Sequence, residues 1–66
     1  MQSENRLQKL LTPTEVANLL GVPIRTLHKW RYFQEGPHAI KIGRHLRYSE
    51  EDLQAWLDEQ RGRRIR

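Results

Sequence analysis

The sequence contains no cysteine, so neither a disulfide nor a cysteine-ligated zinc site can hold the fold together. It has no apolar stretch near the about 20 residues that a transmembrane helix requires. Its first residues also lack the basic-then-apolar order of a signal peptide. With 66 residues, 36% of them hydrophobic, the chain can bury one small core, too small for a conventional enzyme cleft. We therefore expect a soluble, cytoplasmic single domain that is not an enzyme.

The sequence is rich in charge, and the charges are unevenly distributed. The formal net charge is +4. Residues 22–48 contain six bases and one acid, residues 49–60 contain five acids and no base, and residues 61–66 contain four arginines. A basic centre and a basic tail on either side of an acidic segment indicate that a polyanionic partner contacts the centre and the tail.

Local signals predict a first helix that begins after Thr12. Thr12 suits the N-cap, and Glu15, three residues later, can complete a capping box. Pro13 suits the first helical position, where its missing N–H costs nothing. Gly21 is expected to end the helix in the left-handed conformation. The i, i+3, i+4 spacing predicts a buried face formed by Val16, Leu19 and Leu20.

A second helix is predicted to begin at Pro23, again as the first helical residue. Two short helices joined by a tight glycine-containing turn form a helix-turn-helix. The apolar positions of the second helix are Ile24, Leu27 and Trp30. Its opposite side is basic and fits the major groove of B-DNA, which is about 12 Å wide. The side chains predicted to contact DNA there are Arg25, Thr26, His28, Lys29 and Tyr32. The alternative is that this side is only a solvated face of a small basic helix.

Two alternating stretches, residues 40–42 and 46–48, predict a β-hairpin joined by Gly43, Arg44 and His45. The side chains expected to face inward are Ile40, Ile42, Leu46 and Tyr48. Lys41 and Arg47 are expected on one outer face, so that the hairpin forms a basic wing beside the second helix. The wing residues predicted to contact DNA are Lys41, Arg44, His45 and Arg47. The alternative is that these charges protect the hairpin edge from unwanted strand pairing.

Ser49 is predicted to cap a closing helix whose first turn is acidic. Acidic side chains in the first turn interact favourably with the positive end of the helix dipole. This structural role explains the acids without a catalytic carboxylate pair. The apolar face expected for this helix consists of Leu53, Trp56 and Leu57. The three histidines lack the spacing of metal ligands, so no metal or cofactor is expected. The predicted organisation is a flexible arm at 1–8, a folded domain at 9–60 and a basic tail at 61–66.

Four runs of the sequence together resemble the excisionase/MerR-like winged helix-turn-helix family. They are residues 11–22, 26–30, 41–48 and 49–57, and the resemblance covers residues 10–58. It implies a mostly α fold with a small β-hairpin, in the order helix, recognition helix, two-stranded wing and closing helix. Pro23 and Glu35 depart from the pattern of the family.

The resemblance implies a DNA-binding function. Many members are phage or mobile-element excisionases, also called recombination directionality factors. They bind double-stranded DNA beside the attachment site, often as head-to-tail cooperative assemblies, bend it and direct an integrase towards excision. Others are small transcription regulators with the same surface, and a third interpretation is a protein-interaction module whose acidic closing helix docks a basic partner. The tail residues that would contact DNA or integrase are Arg61, Arg63, Arg64 and Arg66.

Overall fold

The computed structural model describes residues 9–63, which form three helices and a small antiparallel sheet. The elements are β1 (Leu10–Leu11), α1 (Pro13–Leu20), α2 (Ile24–Tyr32), β2 (Ile40–Ile42), β3 (His45–Ser49) and α3 (Glu50–Arg61). The strand order is β1-β3-β2, so β3 is central. This architecture confirms the predicted winged helix-turn-helix, with β2 and β3 as the wing. The strand β1 was not predicted, and the predicted arm at 1–8 lies outside the described residues.

The ends of α1 follow the local sequence signals. The Glu15 backbone N–H donates to the Thr12 hydroxyl at 3.1 Å, and the Thr12 N–H donates to the Glu15 carboxylate at 2.8 Å. This capping box confirms the predicted start of the helix. The hydrogen bond from the Thr12 backbone holds the pKa of Glu15 below its ordinary value, because it stabilises the charged carboxylate. Gly21 ends the helix with a φ of 72°, as predicted.

The two other helices begin differently. α2 begins at Ile24, one residue later than predicted, because Pro23 keeps an extended ψ of 148° and acts as the N-cap. Pro23 has no side-chain acceptor, so the first turn of α2 has no side-chain cap. α3 has the predicted cap, in which the Asp52 N–H donates to the Ser49 hydroxyl at 3.0 Å. β3 therefore passes directly into α3 at Ser49.

The core lies where α1, α2 and α3 meet the sheet. Its buried side chains are Leu11, Val16, Ala17, Leu27, Tyr48 and Leu53. Trp30 and Trp56 are half-buried at its edge, with ring centroids 5.4 Å apart. Leu19, expected in the core, is 67% exposed, and Ile24 is also exposed. The i, i+3, i+4 spacing that suggested Leu19 is equally compatible with a stripe through Ala17, which is buried instead.

The wing has a two-residue turn, Gly43-Arg44, in place of the predicted three-residue connection. Gly43 has a φ of 61° and Arg44 has no positive φ, which matches the φ pattern of a type II′ turn. The cross-strand pairs are Ile40 with Arg47, Lys41 with Leu46, and Ile42 with His45. Directly opposed residues of an antiparallel pair share a face. The shorter turn shifts the pairing by one residue, so each side chain of β2 lies on the face opposite to the predicted one.

The shifted register changes which side chains of β2 and β3 lie on the same face of the wing. Ile42 shares the face of His45 and is 46% exposed, so the expectation that Ile40 and Ile42 face inward with Leu46 and Tyr48 is wrong. Lys41 shares the face of Leu46, and Arg47 shares the opposite face. The prediction that Lys41 and Arg47 lie on one outer face is therefore also wrong.

Gly36 packs against the Trp30 ring after the end of α2. A Cβ at Gly36 would lie 2.9 Å from Cε3 of Trp30, and its φ of 75° disfavours any L side chain. We expect Gly36→Ala to lower the free energy of unfolding by about 1–3 kcal/mol in urea denaturation. The matched control is Gly62→Ala, where φ is −74° and the nearest atom lies 3.4 Å away. Equal losses in the two variants would contradict this account of the packing at Gly36.

Candidate nucleic-acid interface

The helix α2 has one buried face and one exposed face. Leu27 is 1% exposed, and Trp30 is half-buried on the same side. At about 100° per residue, Arg25, Lys29 and Tyr32 project from the opposite side. Arg25 and Lys29 are exposed, and Tyr32 is 79% exposed. Their i, i+4, i+7 spacing places them in one row, which we call the α2 row.

Two further predicted residues flank the α2 row. His28 is exposed, whereas Thr26 is half-buried on the side towards Trp30. Arg31 is an exposed base that the prediction of the site left out, although it belongs to the same basic run. Burial raises the pKa of Tyr48, and the positive charge of Arg31 lowers it by less. The charge of Arg31 is therefore close enough to the Tyr48 hydroxyl of β3 to influence its pKa.

The wing residues fall into two groups. Lys41, Arg44 and His45 are exposed, and Arg44 occupies the turn at the tip. Arg47 is half-buried, and its Nη1 donates to the carbonyl oxygen of Leu46 at 2.7 Å. The positive charge of Arg47 also contributes to the lowered pKa of Glu15, so Arg47 interacts with an acid of the same domain. The three exposed residues are therefore more accessible to DNA than Arg47.

The tail residues are only partly described. Arg61 is the exposed last residue of α3, and Arg63 is exposed just beyond it, while Arg64 and Arg66 lie outside the described residues. Arg63 lines an open groove of about 480 Å³ together with Glu35 and Glu59. Both described tail residues therefore lie at the C-terminal end of α3.

Charge is segregated between the elements. α2 contains no acid, and its last turn carries Lys29 and Arg31. Three of the five acids of α3 lie in its first turn, where they complement the positive end of that helix, and the other two, Asp58 and Glu59, lie near its C-terminal end. Among residues 9–63, no three or more potential ligands from His, Cys, Asp and Glu come together as a metal site. No helix within that range is long and apolar enough to cross a membrane.

Comparison with known proteins places this architecture in a family. The model of a helix-turn-helix domain family matches residues 10–61, from β1 to the end of α3. A comparison with curated proteins gave no match. The matched range covers most of the chain and includes the α2 row and the whole wing. The chain therefore belongs to this helix-turn-helix domain family, whose fold indicates DNA binding.

Proposed function

We propose that the protein binds and bends double-stranded DNA in a sequence-specific manner and acts as an excisionase that directs integrase-mediated recombination towards excision. The observation that carries DNA binding is the α2 row, an exposed basic row opposite the buried Leu27 on a helix without acids. The excisionase role is supported by the resemblance of residues 10–58 to that family. The protein itself makes and breaks no bond.

In this proposal α2 lies in the major groove. An α-helix fits that groove, and an arginine can donate two hydrogen bonds to O6 and N7 of guanine. Arg25 is suited to this contact because it begins the exposed row one turn before Lys29. Lys29 supplies a compact charge for phosphate or guanine, and Tyr32 continues the row. His28 and Thr26 reach the groove from its flanks.

The wing then contacts the DNA beside the site of α2. Arg44 projects at the turn, with Lys41 and His45 near it on the two strands. Contacts to backbone phosphates at two separated places hold the duplex against the protein surface and favour a bent path. Further copies binding head to tail, and an integrase, are the protein partners that this function requires. The protein would act in the cytoplasm, on the nucleoid.

The first measurement is the salt dependence of binding to duplexes that carry the attachment region of the host element. The logarithm of the affinity should fall with the logarithm of salt concentration with a slope of about −0.9 per phosphate contact. Binding that does not change with salt would contradict the DNA-binding proposal.

The second measurement separates an excisionase from a transcription regulator. Excision by the integrase of the same element is measured with and without the protein. We expect excision to require the protein. Unchanged excision, together with retained DNA binding and altered transcription from a nearby promoter, would contradict the excisionase role and favour the regulator.

A further inference from the structure

The end of α2 carries two exposed aromatic rings. Tyr32 is 79% exposed and Phe33 is 58% exposed. Their ring centroids lie 5.0 Å apart, with the ring planes at 89°. Adjacent exposed aromatic rings offer apolar area that a partner can cover, and such rings are enriched at binding surfaces. The DNA-binding proposal assigns Tyr32 a place in the α2 row but leaves Phe33 without a role.

Phe33 is held by an ordered helix end. The Glu35 N–H donates to the Trp30 carbonyl at 2.6 Å, and the Gln34 N–H donates to the Arg31 carbonyl at 3.0 Å. These two bonds, with Gln34 in the left-handed conformation, form a Schellman motif. The aromatic pair is therefore attached to a defined turn, which keeps the cost of ordering it on binding small.

The surroundings of the pair indicate what covers it. Tyr32 belongs to the α2 row, the exposed Arg31 directly precedes the pair in sequence, and the exposed Lys29 lies about one helical turn before it. These bases favour a polyanion, while the rings need an apolar group on that same partner. In the major groove the C5-methyl group of thymine is such a group, and phenylalanine is among the side chains that contact it.

We propose that Phe33, together with Tyr32, contacts the methyl group of thymine at the edge of the DNA site, so that the site requires thymine there. This inference rests on the proposed placement of α2 in the major groove. It assigns to Phe33 a direct role in sequence discrimination, whereas the neighbouring Arg31 would supply charge without reading the base. The DNA partner then has thymine where the C-terminal end of α2 reaches the groove.

The test uses uracil, which differs from thymine only by the missing methyl group. Duplexes that the full chain binds are enriched from a random library, and each thymine of the resulting site is replaced singly by uracil. We expect one or two replacements to weaken binding by the wild type about fourfold, the effect of removing one buried methyl-sized group. Phe33→Ala should lose most of the difference between the thymine and uracil duplexes, because only Tyr32 remains to contact the methyl group, and Phe33→Leu should keep more of that difference.

The matched control is Leu19→Ala, which removes an apolar side chain with 67% exposure from α1. It should keep the full difference between thymine and uracil, and circular dichroism should show that every variant is folded. Wild-type binding that is indifferent to every uracil replacement would overturn the inference while leaving DNA binding in place. An unchanged difference in Phe33→Ala, with weaker self-association or integrase binding, would assign the pair to a protein contact and also overturn it. A wild-type chain that enriches no duplex would overturn both this inference and the proposed function.

Discussion

Charge reversal at both Arg25 and Lys29 should weaken binding to the DNA site at least about 100-fold, because it removes two contacts and places carboxylates against phosphates. Both side chains lie on the exposed side of α2, opposite Leu27, so the substitutions leave the core intact. The double variant Arg25→Glu/Lys29→Glu is compared with the wild type by fluorescence anisotropy at one fixed salt concentration. Its free energy of unfolding should change by no more than about 0.5 kcal/mol.

A change in net charge alone would also reduce affinity for DNA. A control variant must therefore make the same change in net charge at a position outside α2. Arg25→Glu and Lys9→Glu change the net charge by the same amount, and both positions are exposed. Lys9 lies beside β1, and its carbonyl accepts from the Glu50 N–H at the start of α3, at the other end of β3 from the wing turn. The Arg25 variant should lose far more affinity than the Lys9 variant. Similar losses would mean that α2 is not the helix that binds DNA.

The parts of the fold that could be predicted from the sequence depend on short-range interactions. The caps at Thr12 and Ser49 each accept from a backbone N–H three residues away, so the residues that form each cap lie within one short stretch of sequence. The same holds for the exposed row of Arg25 and Lys29, because helical spacing alone fixes their common side. Whether these residues contact DNA stays a prediction.

The parts that could not be predicted depend on distant packing or on one backbone dihedral angle. The register of the wing depends on whether its turn has two or three residues, and the alternation of side chains in each strand is the same in both cases. The strand β1 has only two residues, Leu10 and Leu11, which pair with β3 through the backbone. Phe33 is placed by the Schellman motif beyond α2, a motif that Gln34 at its left-handed position does not signal in the sequence.

The substitution Leu27→Ala should leave the domain largely unfolded at 25 °C. Leu27 is 1% exposed and is the one fully buried residue of α2, so it is the main attachment of that helix to the core. A buried Leu→Ala substitution costs about 2–5 kcal/mol, and a core in a chain of this length rarely supplies more than about 3–5 kcal/mol. Thermal and urea denaturation followed by circular dichroism at 222 nm measure the loss.

Leu19→Ala is the matched control for this loss, since it makes the same chemical change in the neighbouring helix. Leu19 is 67% exposed, so we expect its substitution to change the free energy of unfolding by no more than about 0.5 kcal/mol. Leucine and alanine differ little in helix propensity, and the contrast between the two variants therefore measures burial. A large loss in Leu19→Ala would mean that α1 turns the face through Leu19 to the core, as the spacing of its apolar residues first suggested. A small loss would show that α1 packs through Ala17, and the variant should then bind DNA as the wild type does.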